Sequence, residues 1–297
     1  MIWILFAAIS ALLWALTSNF DKFFVHNKKI RPFILAIFNG IFGLIALLLI
    51  PFFGLEIFSP FNLFLAFLTG FLYIGFLLPY YKACEYEEIS RVIILWKMSP
   101  VFVLITSAIF LGEFLTARDF IGFIFLLSAG ILISKKKNKK HFYLGIAFYL
   151  LLLSSLISSF RVTIDRFLYS SLSIISVYIW TRIGVFLASM ILLIFFWKGF
   201  KDTFNRITIR DKSALAFKSL IDLIGLFTIG LAISIAKAPL VSAAINALMP
   251  TFTFLFAILF TIKLPGFVKE DISREKIIEK LIAIALVFIG IYFLYMG

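Results

Sequence analysis

"MSPVFVLITSAIF", residues 98–110, and "LMPTFTFLFAILF", residues 248–260, align without a gap at a shift of 150 residues, with Pro100 over Pro250. The match spreads outward from there. "YIGFL" (73–77) falls on "LIGLF" (223–227) at the same shift, "SAGILI" (128–133) on "FIGIYF" (288–293) at 160, and "DKFF" (21–24) on "DRFL" (165–168) at 144. A chain that repeats once at half its length consists of two equivalent units, and that decides the architecture before any local structure is assigned.

Both units are apolar. Of 297 residues, 63% are hydrophobic and 14% charged, with a mean hydropathy of +1.12, whereas a soluble domain is about half apolar and a quarter charged. Runs able to cross roughly 30 Å of hydrocarbon as helices fall at 2–20, 33–53, 61–81, 89–111, 119–134, 142–160, 174–197, 213–236, 240–262 and 279–296. Residues 2–20 lack a basic leader and are too long for a signal core, so they read as a retained first span. Five spans per unit is an odd number, so the second unit must enter the membrane with the opposite orientation. The expected fold is an all-α integral membrane protein, ten transmembrane helices arranged as two inverted five-helix repeats. The repeats cover 1–134 and 142–297, joined by a basic linker at 135–141. Inverted repeats are a transporter architecture, with the substrate near the membrane midplane between the halves. The step in shift from 150 to 160 places an insertion at "LPGFVKEDISREKII" (264–278), expected as a short interfacial helix or a solvated linker.

The net charge of +13 matters here for where it falls, and nucleic acid is not an expected partner. Connectors after the first, third, fifth, seventh and ninth spans hold 21 of the 28 Lys and Arg residues; the opposite side holds four, Arg118, Arg161, Arg166 and Lys237. By the positive-inside rule the first set is cytoplasmic. That predicts a multi-pass cell-membrane protein with both termini on the non-cytoplasmic side. Cys84 is the only cysteine, and His26 and His141 lie in polar connectors, so no metal site and no cofactor are expected. The bilayer and a small molecule are the expected partners, with the chain a monomer or homodimer.

Helix 1 with Trp14 and "SNFDK" (18–22), followed by "YYKACEYEEISRVIILWKMSPVFVLITSAIFLGEFLTARDFIGFIFLLSAGILI" (80–133), resembles the EamA domain of the drug/metabolite transporter superfamily. Pro100, Gly112, Glu113, Gly122 and Gly130 carry the resemblance; the second half keeps Pro250 and Gly290 but has "TIK" where "LGE" would stand. The resemblance implies ten helices in two inverted repeats. It also implies export or exchange of a small metabolite such as an amino acid, nucleotide sugar or sugar phosphate. Many members of the superfamily place their termini in the cytoplasm, opposite to the charge bias here. An intramembrane enzyme, such as a lipid-linked transferase, is the alternative. It would need clustered carboxylates or a nucleophile with its base, and no DxxD, HxxxH, HExxH or GxSxG stands at a membrane face. "EYEE" (85–88), flanked by Lys82 and Arg91, reads as a solvated turn.

Ionisable groups inside spans are costly and mark sites by default. Lys97 and Arg182 sit near mid-span, with a snorkelling lysine and a structural ion pair as the ordinary readings. Asn39 occupies the first-half place nearest to that of Arg182. Lys218 and Asp222, four apart, share a helix face and can simply neutralise each other; in the sharper reading Asp222 couples transport to protons. Trp96 and Lys97 precede Pro100, and Asn246 precedes Pro250, where a proline frees a carbonyl and allows a kink. With Tyr73 on the third span, the expected substrate-binding set is Asn39, Tyr73, Trp96, Lys97, Arg182, Lys218, Asp222 and Asn246. The expected gates and hinges are Pro100 and Pro250, Asp21 with Lys22 at the inner end of helix 1, and Asp165 with Arg166 at the outer end of helix 6. Plain interfacial anchoring is the alternative for those two charged couples.

Overall fold

The computed structural model describes residues 2–112, 117–134, 145–235, 238–264 and 266–295, all-helical with no strand among them. The helices are α1 (Ile2–Lys22), α2 (Pro32–Gly43), α3 (Pro60–Tyr86), α4 (Ile89–Trp96), α5 (Ser99–Leu111) and α6 (Ala117–Ser134). They continue with α7 (Ile146–Tyr169), α8 (Ile174–Phe195), α9 (Trp197–Arg206), α10 (Ile209–Ile235), α11 (Ala238–Lys263) and α12 (Arg274–Tyr295). Among the described residues, seven spans are long and apolar enough to cross a membrane: Ile2–Asn27, Pro32–Phe53, Pro60–Tyr86, Ile89–Leu111, Ile146–Tyr169, Ile174–Phe195 and Ile209–Ala232. Helices α6, α11 and α12 coincide with the other three expected runs. Linker residues 135–141, Glu113 and the side chain of Asn246 lie outside the described residues.

Proline shapes two of the spans. The run at 33–53 leaves α2 for a 3-10 stretch, Leu44–Leu49, before a last turn, Ile50–Phe53, that begins around Pro51. The run at 89–111 breaks at Lys97–Met98 into α4 and α5. Pro100 has no N–H to offer the carbonyl of Trp96 one turn back, and the Ser155 hydroxyl of α7 donates to that carbonyl instead, at 3.3 Å.

Helix 1 does not end where its polar residues begin. Ser18, Asn19, Asp21 and Lys22 are buried, and the chain continues through a π turn, Phe23–Asn27, before leaving the bundle. Likewise α7 runs on to Tyr169. α9 is an added amphipathic helix whose Phe200 and Phe204 stack on each other, Phe204 stacking also on Phe38 of α2 and Phe200 meeting it at a tilt.

The core packs helices from the two halves against one another. α3 lies on α7 and α8, α1 lies on α10 and α11, α2 on α8, α5 on α7, and α6 on α12. Small residues allow the closest approach: a Cβ on Gly70 of α3 would stand 2.5 Å from the Gly184 carbonyl carbon of α8, and one on Gly184 would stand 2.8 Å from Phe67 Cα. The connectors gather by end. At one end the chain after α1 meets the first turn of α10 and the segment after α11, through Lys28 to Asp211 at 2.8 Å and Asn27 to the Phe267 carbonyl at 2.8 Å. At the other end the segment before α3 meets α8, Trp180 Nε1 donating to the Glu56 carbonyl at 2.8 Å.

Candidate functional site

Trp14, Thr17, Ser18 and Asp21 recur at helical spacing on one face of α1, and Tyr73, Phe76, Leu77 and Tyr80 do the same on α3. Together with Tyr81, Trp96, Lys218, Asp222 and Met249 they enclose a cavity of about 50 Å³, room for a few waters. Gly225 is what lets α1 seat its tryptophan here: a Cβ on it would stand 2.7 Å from Trp14 Nε1, and its carbonyl accepts from Ser10 Oγ at 2.8 Å.

Lys218 is the hub. Its Nζ pairs with Asp21 at 2.9 Å and Asp222 at 2.5 Å, and donates to Tyr81 OH at 3.1 Å and Asn39 Oδ1 at 3.3 Å. Asn39 Nδ2 donates to Tyr81 OH at 2.8 Å, and Ser219 Oγ donates to Asn39 Oδ1 at 3.3 Å. Four side chains from four helices are thus held by one ammonium, and the two carboxylates leave the triad with a net negative charge. In low dielectric such a network holds its members rigidly as long as each is satisfied.

A second, smaller cavity of about 20 Å³ has the opposite sign. Arg161, Asp165, Tyr169, Tyr178, Thr181 and Arg182 line it, with Leu226, Ile229 and Gly230. Arg161 pairs with Asp165 at 2.9 Å. The guanidinium of Arg182 lies 4.7 Å from the Tyr73 ring centroid and that of Arg161 lies 5.5 Å from it. Tyr73 therefore has the acidic cavity on one side and two arginines against its ring. Arg182 Nε and Trp96 Nε1 are buried donors with no hydrogen-bond partner among the described residues.

The expected binding residues divide accordingly. Asn39, Tyr73, Trp96, Lys218 and Asp222 gather at or beside the first cavity, and Arg182 lines the second. Lys97 lines neither and is buried against α11: its Nζ lies 3.2 Å from Met249 Sδ and 5.1 Å from the Trp96 ring, with no carboxylate paired to it among the described residues. The gate couples do not stay together as couples. Asp21 turns inward to Lys218, while Lys22 donates to the carbonyls of Cys84 (2.8 Å) and Glu87 (2.7 Å). Asp165 pairs with Arg161 rather than with its neighbour Arg166. Pro100 opens α5 after the break, whereas Pro250 sits inside the continuous α11.

One cluster has no counterpart in the sequence reading. Lys280 of α12, fully buried, pairs with Glu270 at 2.7 Å and Glu88 at 2.6 Å. Ser90 donates to Glu270, and Arg91 reaches Glu279 at 3.3 Å. Burial holds the Glu270 carboxyl above the usual carboxylate range despite the lysine beside it. Glu88 of "EYEE" is thus drawn into a closed contact, while Tyr86 of the same turn stays exposed. Residues 266–273 are an irregular strap docked on it, neither an interfacial helix nor a free linker. The sequence offered no local signal, since Glu88 and Lys280 are 192 positions apart.

Residues 1–135 match the profile of the EamA-like transporter family, as the resemblance of the first half led one to expect. A solved structure described only as the crystal structure of a protein is 16% identical, covers 98% of this chain and 95% of its own, and superposes with a TM-score of 0.66. That likeness speaks for the fold alone. Comparison with curated proteins gave no match.

Proposed function

We propose that the protein is a secondary active transporter of a small polar metabolite that works by alternating access of two inverted five-helix halves. The observation that carries this reading is the Asp21–Lys218–Asp222 triad, which joins α1 to α10 in the wall of a central cavity. The packing supports the inverted repeat. Exchanging each of the ten spans with the one five later turns the α3–α7 contact into α10–α1, α5–α7 into α11–α1 and α3–α8 into α10–α2, all of which occur, while α2–α8 and α6–α12 map onto themselves. The end at which the connectors after α1, α3 and α11 meet is the basic one, and by the charge rule it faces the cytoplasm.

The two cavities favour a zwitterion, with its ammonium toward Asp21 and Asp222 and its carboxylate toward Arg182. Trp96 Nε1 and Arg182 Nε supply free donors. Coupling to protons goes through Asp222, because neutralising it leaves Lys218 to Asp21 alone and so changes the ion pair that joins the halves. A thermal-shift screen of the purified protein against amino acids, nucleosides and sugar phosphates tests the substrate class, with amino acids expected to stabilise most. In proteoliposomes, Asp222→Asn should abolish proton-driven uptake and spare exchange. Proton-driven uptake that survives this substitution intact removes Asp222 from the coupling role.

A further inference from the structure

A cavity of about 330 Å³ opens away from the transport path, at the end of the molecule where the basic connectors gather. Val25, His26, Lys29, Ile30, Arg31, Glu85 and Tyr86 line it. It falls in the size range of small-molecule sites, roughly 300–1,000 Å³. Its charge is unbalanced by construction. Among neighbouring cations, Lys28 is taken by Asp211 at 2.8 Å, and Arg206 donates to the carbonyls of Lys28 (3.3 Å) and Lys29 (3.2 Å), bracing the loop. The one acid in the lining, Glu85, is already in an ion pair with Lys82. Lys29 and Arg31 are left with no carboxylate partner among the described residues.

Two features of the backbone aim at the same space. Lys29 has φ of 53°, making it the one non-glycine residue with positive φ among the described residues, and strain of this kind is kept where the surroundings over-determine it. Arg31 is the N-cap of the twelve-residue α2 and gives it no side-chain cap, so the positive end of that helix adds to the two side chains. The flanking α9 supplies the surroundings of a membrane interface. Trp197 and Phe200 stack on each other along it, and Lys198 and Lys201 beside them are exposed.

We propose that this cavity is a binding site for a phosphate-bearing anion, held by Lys29 and Arg31 with His26 at its rim, and separate from the transport cavity. The group can come from an anionic phospholipid headgroup at the leaflet surface, where basic pockets between helices collect such heads, or from a soluble phosphate.

The full-length protein in detergent is titrated by thermal shift with dihexanoyl-phosphatidylglycerol, dihexanoyl-phosphatidylcholine and inorganic phosphate. Saturable stabilisation by the phosphatidylglycerol alone assigns the site to lipid; an equal response to inorganic phosphate assigns it to a soluble ligand. Lys29→Gln with Arg31→Gln should weaken the apparent affinity roughly 10- to 30-fold, while the charge-matched pair Lys263→Gln with Lys269→Gln, at exposed positions of the same end, leaves it unchanged. Lys29→Gly keeps the test sound if the double variant folds poorly, because glycine adopts positive φ without strain. It should melt no lower than wild type yet bind more weakly. Equal loss in both double variants, or no preference for phosphatidylglycerol or phosphate over phosphatidylcholine, overturns the proposal.

Discussion

Lys218 balances two carboxylates with one ammonium, and that asymmetry sets what each substitution costs. Removing the lysine strands Asp21 and Asp222 together in a buried place, whereas removing Asp222 leaves Lys218 still paired with Asp21 at 2.9 Å. Breaking a buried pair so that charge is uncompensated costs roughly 3–5 kcal/mol, while losing one partner of a group that keeps another costs about 1–3 kcal/mol. Lys218→Met is therefore expected to lower the melting temperature of the detergent-purified protein well below that of Asp222→Asn. If the two variants melt together, Lys218 is not the hub. Part of this site was legible in the sequence. Lys218 and Asp222 announce themselves by a four-residue spacing on one helix, and Asp222 and Arg182 by being charged inside apolar runs. Asp21 read as a helix end because Ser18, Asn19 and Lys22 cluster with it at the close of an apolar run. Its inward turn depends on a lysine 197 positions away, a separation that no local pattern encodes.

At the scale of elements, the spans were legible because a bilayer demands about 20 apolar residues of each helix, and that requirement is written in the run itself. Their interruptions were legible only where proline causes them, as at Pro100. The strap at 266–273 leaves no periodicity to find. Helix crossings belong to the same class. Gly70 and Gly184 look like ordinary glycines in apolar runs, yet they let α3 and α8 touch backbone to backbone. Gly70→Ala puts a methyl 2.5 Å from a backbone carbon that no rotamer change can move. The helices must part, at a cost of about 1–3 kcal/mol. Gly75→Ala in the same helix, whose new methyl would meet only an Ile157 side-chain carbon at 3.6 Å, should be near neutral. Thermal melts of the two variants side by side measure the difference, and equal stability would mean that α3 and α8 do not cross this closely.

For the molecule as a whole, the acidic turn between α3 and α4, the strap after α11 and the start of α12 form one contact at the basic end, closed over Lys280. In the alternating-access cycle proposed above such a contact would have to break and re-form, so its strength would bear on which side of the cavity is open. The chain carries its own reporter. Cys84, the sole cysteine, is fully buried on α3, and its carbonyl accepts from Lys22 beside this contact. Lys280→Met leaves Glu270, whose side chain has no exposed surface, without its nearest cation. The expected result is faster maleimide labelling of Cys84 in the native protein, about tenfold for each 1.4 kcal/mol by which opening becomes easier. A second substitution separates charge from packing. Replacing a buried pair with apolar or neutral groups costs far less than breaking it, so Lys280→Met with Glu270→Gln should bring labelling back toward the wild-type rate. If the double variant labels as fast as Lys280→Met alone, the contact is held by packing of the strap and not by the ion pair. Unchanged labelling in both variants would show that closure of this end does not depend on Lys280 at all.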